Sequence, residues 1–106
     1  MTKVLIIEDE PVHLEVMKAK LEHEGYEVLS AVDGESGFQI IKKEKPDLVL
    51  LDIILPKLDG FGVLKKIREG KLTTPVIVVS NSGQPVEVDK ALALGAKDYQ
   101  VKAEFN

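Results

Sequence analysis

Asp52 closes an apolar run, Leu48-Val49-Leu50-Leu51, and stands just before a loop that passes through Pro56 and Asp59-Gly60. A short run without helical gaps suits a strand buried on both faces. An acid at the carboxyl end of such a strand lies where open α/β sheets collect their chemistry. Other polar groups close other strand-like runs: Glu8 and Asp9 follow Val4-Leu5-Ile6-Ile7, Ser80 follows Val76-Ile77-Val78-Val79, and Lys102 follows Tyr99-Gln100-Val101. In a parallel sheet these ends share one edge. Carboxylates brought together there repel, because two unit charges about 4 Å apart cost roughly 4 kcal/mol at an effective dielectric of about 20. A divalent cation relieves this, and an all-oxygen set suits Mg2+. An aspartate in such a site can attack phosphorus and carry an acyl phosphate. Mg2+, Lys102 and the Ser80 hydroxyl would neutralise the phosphoryl oxygens.

Singly, each residue has an ordinary explanation. A lone Asp after a strand is usually a solvated turn residue. Glu8-Asp9-Glu10 also suits the N-terminus of a helix, as dipole complement and cap. Ser80 fits an ordinary Ser-Asn-Ser-Gly loop, Lys102 alone says little, and Tyr99 reads as an edge-strand aromatic. His13 and His23 fall on the polar side of the first helix, without a metal-ligand set, and read as solvated. The joint arrival of Asp9, Asp52, Ser80 and Lys102 at successive strand ends outweighs these separate readings.

The elements that must position them follow from periodicity and punctuation. Pro11, with Leu14, Met17 and Leu21 at helical spacing and Gly25 as a stop, predicts a helix over 11–24. Residues 26–31 alternate partly, as expected of a strand near a sheet edge. After the Asp33-Gly34 turn, 35–45 predicts a second helix with Phe38 and Ile41 inward, ended by Pro46. A third spans 60–69, with Phe61, Leu64 and Ile67 on one face and Gly70 as the stop. A shorter fourth, about 86–94, is expected to bury Val88, Ala91 and Leu92 before Gly95. Strand and helix thus alternate through five strands, with a fifth helix missing. That order predicts an α/β fold with a mainly parallel sheet, right-handed crossovers and helices on both faces.

With 106 residues the chain is one domain, covering 1–106. Its 30% charged and 44% apolar residues are those of a globular protein. A net charge of −4 argues against direct nucleic-acid or anionic-membrane binding. There is no cysteine, hence no disulfide framework and no thiolate metal site. No signal peptide precedes the first strand, and the apolar runs are too short to span a bilayer, so a cytoplasmic location is expected.

Taken in order, the motifs resemble the receiver domain of two-component response regulators, the CheY-like family. The resemblance rests on Val4 through Glu10, on Asp52-Ile53-Ile54-Leu55-Pro56-Lys57-Leu58-Asp59-Gly60, on Pro75 through Ser80, and on Ala91 through Lys102. It implies a flavodoxin-like doubly wound sheet in the order 2-1-3-4-5. Asp52 would be the phosphoacceptor for a histidine kinase or phosphotransfer protein. Asp9, Asp52 and the Ile54 backbone carbonyl would ligate Mg2+, with Glu8 acting through water. Ser80 falls at the switch hydroxyl, Lys102 at the lysine that pairs with the phosphoryl group, and Tyr99 at the switch aromatic. Phosphorylation would then change the affinity of the helix 4–strand 5 face for an output partner. Such a protein assists its own phosphotransfer without being a dedicated enzyme.

Three departures bear on this expectation. Ala103 follows Lys102 where the family usually has proline, often cis, and a trans bond is expected because a cis non-proline bond costs about 2.5–4 kcal/mol. Asn81 follows the switch hydroxyl where smaller residues are common, narrowing access. Ile54, Asn81 and Ser82 occupy positions that tune the loss of phosphate, and an apolar Ile54 gives an attacking water no help. Phosphate should therefore leave slowly. A half-life of seconds or less for the phosphorylated domain, measured after removing the donor, would contradict this.

Residues 103–106 look like the opening of a fifth helix, so a chain cut before or at that helix is expected. Part of the face carrying helix one would then be bare, on the order of several hundred Å2 of apolar surface, inviting self-association or lowering stability. Two other functions compete. A haloacid-dehalogenase-type phosphatase also uses a strand-end Asp and Mg2+, but resembles Asp-x-Asp where this chain has Ile54. A pseudo-receiver would be a phosphorylation-independent interaction module.

Overall fold

The protein is described here by a computed structural model over residues 1–102. Among the described residues five strands and four helices alternate: β1 (Lys3–Ile7), α1 (Pro11–His23), β2 (Glu27–Ala31), α2 (Gly34–Glu44), β3 (Leu48–Leu51), α3 (Gly60–Glu69), β4 (Val76–Ser80), α4 (Pro85–Ala93) and β5 (Asp98–Val101). The strands form one sheet in the order β2-β1-β3-β4-β5, with every neighbouring pair parallel. The expected doubly wound order therefore holds, with element ends within about a residue or two of expectation.

The period of two along each central strand divides the core. Leu5 and Ile7, Val49 and Leu51, and Val76 and Val78 point to one face, where Ile41, Val63, Leu64, Ile67 and Ala91 cover them from α2, α3 and α4. Val4, Ile6, Leu50 and Val79 point to the other and meet Leu14 and Met17 of α1. Because both faces are covered, these strands read as continuous apolar runs rather than as alternating ones. β2, at the edge, keeps the more exposed pattern its sequence suggests.

Helix ends follow one device used three times. Beyond α1, the Gly25 and Tyr26 N–H groups bond to the Glu22 and Leu21 carbonyls; beyond α4, the Gly95 and Ala96 N–H groups bond to the Leu92 and Ala91 carbonyls. These are Schellman ends with glycine at the left-handed position, at φ of 94° and 109°. At α3 the expected stop, Gly70, keeps a right-handed φ of −79° and the left-handed residue is Lys71, at 56°. The Leu72 N–H reaches the Ile67 carbonyl at 3.0 Å, so the hydrogen-bond pattern, rather than the glycine, fixes where the turn falls.

Other expectations need correction. Of the α4 residues expected inside, Ala91 is fully buried and Val88 half-buried, while Leu92 is 43% exposed. The helix packs against β5 and α3 at the sheet edge, and Ala91 is its one buried residue. Asp33 is more than a turn residue: it caps α2, accepting the Ser36 N–H at 2.7 Å. On the face carrying α1, Leu50 and Val79 are buried and Leu48 and Ile77 are half-buried. The expected opening of helix five and the Lys102–Ala103 bond fall at residues 103–106, outside the described residues.

Candidate functional site

β1 and β3 lie side by side, with Ile7 opposite Leu51, so the residues that follow them emerge together at the carboxyl edge. The Asp52 N–H bonds to the Ile7 carbonyl at 3.0 Å and the Glu8 N–H to the Ala31 carbonyl at 3.0 Å. Both acids are therefore held by continuations of the sheet ladder rather than by free loops. After Asp52 the chain folds back on itself: the Gly60 N–H bonds to the Ile53 carbonyl at 2.8 Å, and Asp59 caps α3 by accepting the Gly62 N–H at 2.8 Å. A Cβ on Gly60 would run into the Asp52 carbonyl and the Ile53 Cα, so glycine is what lets the returning loop press against the strand end.

The side chains converge around one ammonium. Lys102 Nζ lies 3.0 Å from Asp52 Oδ2 and 2.9 Å from Glu8 Oε1, and all three side chains are under 10% exposed, at 8%, 7% and 2%. Asp52 Oδ1 accepts the Ile53 N–H at 2.8 Å, and Glu8 Oε2 accepts the Glu10 N–H at 3.1 Å. Asp9 sits exposed beside them, and one carboxylate oxygen from each of Glu8, Asp9 and Asp52 lies within 4.8 Å of the others.

The same burial acts differently on each group. Burial pushes the Asp52 carboxyl up to about 6 from an ordinary 3.8, with the Lys102 hydrogen bond opposing and the Glu8 charge adding to the rise. For Glu8 burial also raises, but hydrogen bonds from Lys102, Glu10 and His13 outweigh it and hold the carboxyl below the usual range. Burial works to lower the Lys102 ammonium, and its two carboxylate partners overcome that and raise it. At neutral pH this leaves one cation against three acids. A donor set made only of carboxylate oxygens with excess negative charge fits a hard divalent cation such as Mg2+.

The other expected residues lie along the same edge in distinct settings. Ser80 is buried at the end of β4, opposite Val101, and its Oγ accepts the Ser82 N–H at 3.4 Å rather than reaching Asp52. The half-buried Tyr99 donates its hydroxyl to the Ser82 carbonyl, tying β5 to the loop after β4. Asn81 is exposed, Ser82 is half-buried, and Ile54 is 73% exposed two residues beyond Asp52.

His13 differs from the solvated histidine that its helical position predicts: its Nδ1 lies 2.8 Å from Glu8 Oε1 and its side chain is only 19% exposed. α1 starts at Pro11, so His13 is in the first turn, directly above the strand end that carries Glu8. The signal available in the sequence was that short separation, which a reading of helix faces alone passes over.

Comparison with known proteins gives this edge its context. Residues 4–105 match the family described as the response regulator receiver domain. The chain belongs to that family. Like other receivers, it is similar to larger regulators: it is 39% identical over 100 residues to the alkaline phosphatase synthesis transcriptional regulatory protein PhoP of Bacillus subtilis, covering 94% of this chain and 42% of that protein. To the transcriptional regulatory protein DltR of Streptococcus agalactiae it is 43% identical over 100 residues, covering 94% and 45%. The receiver thus spans less than half the length of the curated relatives it matches. Among solved structures, the Francisella response regulator 1452 receiver domain superposes with a TM-score of 0.92 at 30% identity, over 97% of this chain and 85% of that one. The BeF3-activated N-terminal receiver domain of Klebsiella pneumoniae RstA gives 0.92 at 31%, over 98% and 88%. Receivers of this family serve two-component signalling, and no helix among the described residues is long and apolar enough to cross a membrane.

Proposed function

We propose that this receiver takes a phosphoryl group onto Asp52 from a histidine kinase or phosphotransfer protein and so alters the face formed by α4 and β5 for an output partner. The observation that carries the reading is the Lys102 ammonium held between Asp52 and Glu8, at 3.0 and 2.9 Å, beside the exposed Asp9. An Asp52 carboxylate oxygen attacks phosphorus, the bond from phosphorus to the donor breaks, and the donor leaves with that electron pair. Asp9, Asp52 and the Ile54 carbonyl would hold Mg2+, with Glu8 acting through water. Bound there, the ion neutralises charge on the transferring phosphoryl oxygens.

Lys102 is bonded to Asp52 Oδ2 and follows the new negative charge onto the phosphoryl oxygens. The Ser80 hydroxyl, bonded only weakly to the Ser82 N–H, is free to turn and donate to the same group. Ser82 also holds the Tyr99 hydroxyl through its carbonyl, so a shift of the loop after β4 is felt directly at β5. A coupling of about 1–3 kcal/mol between the site and that face is enough to bias partner binding. The domain is a switch that assists its own chemistry, and the exposed apolar Ile54 agrees with slow phosphate loss rather than turnover.

Mixing the protein with Mg2+ and a small phosphodonor and weighing it intact tests this. The expected result is a single phosphoryl adduct, lost in Asp52→Asn and in the presence of EDTA. No adduct, with the donor unhydrolysed, would favour a phosphorylation-independent interaction module. Rapid hydrolysis of the donor would favour a phosphatase.

A further inference from the structure

Glu8 is held more firmly than its proposed part requires. Its Oε2 accepts the Glu10 N–H at 3.1 Å, and its Oε1 accepts from both Lys102 Nζ at 2.9 Å and His13 Nδ1 at 2.8 Å. An ionised carboxylate has no hydrogen to give, so His13 Nδ1 carries the one in this contact. The two donors on Oε1 differ in what they can do. Lys102 also serves Asp52, and the proposed chemistry draws it toward the phosphoryl group. The His13 side chain bonds no other residue among those described and belongs to the first turn of α1.

We infer that His13 is a positioning residue that keeps Glu8 aimed into the ion site, together with Lys102 in the resting protein and without it once Lys102 turns to the phosphoryl group. With His13 on one oxygen and the Glu10 N–H on the other, the plane of the carboxylate stays set after the ammonium leaves. Without His13, a carboxylate only 2% exposed would lose a donor just as the site's charge is rearranged, and it would turn to find another. Hydrogen-bond partners standing behind the groups that surround an ion commonly tune its affinity. The inference rests on the receiver reading above, but its test needs no phosphodonor.

Mg2+ affinity is measured by calorimetry on the unaltered protein, on His13→Leu, which removes the donor at similar size, and on His13→Asn, whose amide nitrogen can stand near the Nδ1 position. The expected result is an affinity about 10-fold or more weaker in His13→Leu and restored to within a few-fold of the unaltered protein in His13→Asn. Unchanged affinity in His13→Leu, or equal loss in both variants, overturns the inference. If His13→Leu does not fold, the unaltered protein decides: nitrogen NMR of its two histidines should show the His13 Nδ1 resonance move with Mg2+ while that of the exposed His23 stays. A stationary His13 overturns it. Affinity that depends on His13 in a protein that takes no phosphoryl adduct would sink the receiver chemistry alone, and an adduct-forming protein indifferent to His13 would sink the positioning role alone.

Discussion

Replacing Lys102 by methionine should lower the stability of the ion-free protein by about 3–5 kcal/mol, the usual effect of removing one partner from a buried charge pair. The loss is expected at the upper end because one ammonium serves two carboxylates, Asp52 and Glu8, each under 10% exposed. Methionine fills much the same volume, so the effect is electrostatic rather than a cavity. For a domain of this size it corresponds to a fall in Tm of tens of degrees. Mg2+ should reverse about half of it. An ion that binds only the folded state adds about 2.7 kcal/mol at a hundred times its Kd, and removing the competing ammonium strengthens its binding. Thermal unfolding in EDTA and in millimolar Mg2+ measures both effects. A Lys102→Met protein that melts with the unaltered one in EDTA would show that the ammonium does not neutralise this site.

Asp52→Asn should act in the opposite direction. The Asp52 carboxyl titrates at about 6 in the folded protein against 3.8 for the ordinary group, so the folded chain holds this proton more tightly than the unfolded chain does. Its contribution to stability is therefore full below pH 3.8 and is lost as pH rises through about 6. Above that, the ionised carboxylate destabilises the fold. Asparagine removes the charge and keeps the shape, so Asp52→Asn should be more stable than the unaltered protein by about 1–3 kcal/mol at pH 7 to 8, without Mg2+. The gain should shrink toward zero on acidification, where Asp52 is protonated in both folded and unfolded chains. Glu8 runs the other way: its lowered pKa contributes stability above 4.5 that is lost as pH falls further, and it does so in both proteins. Comparing the two proteins across pH therefore reports Asp52 together with its coupling to Glu8. A variant less stable at pH 7, or a gain independent of pH, would refute this account. A site poised in this way destabilises the resting fold in exchange for a reactive carboxylate.

Much of this protein is legible from its residues because the signals are local. Apolar runs closed by Asp52, Glu8, Ser80 and Lys102, separated by helical repeats and short loops, dictate a parallel sheet, and a parallel sheet puts those ends along one edge. The site was visible for that reason, and the order of the elements with it. The sequence alone also determined why Gly25 and Gly95 end helices, since only a local φ is at issue there.

Tertiary structure decided what depends on two elements meeting. Leu92 repeats at helical spacing and still faces water, because α4 sits at the sheet edge and buries only Ala91. Lys71, rather than Gly70, takes the left-handed turn, because hydrogen bonds at the end of α3 place it. His13 looks solvated on a helical wheel and is bound to Glu8, because α1 docks with its first turn over the end of β1. Periodicity says which residues share a face of one element; which neighbour that face meets is set by the docking angle and register across the sheet. The sequence brought Asp52, Asp9, Glu8 and Lys102 to the same edge, and only the fold placed one ammonium between two carboxylates with a histidine behind them.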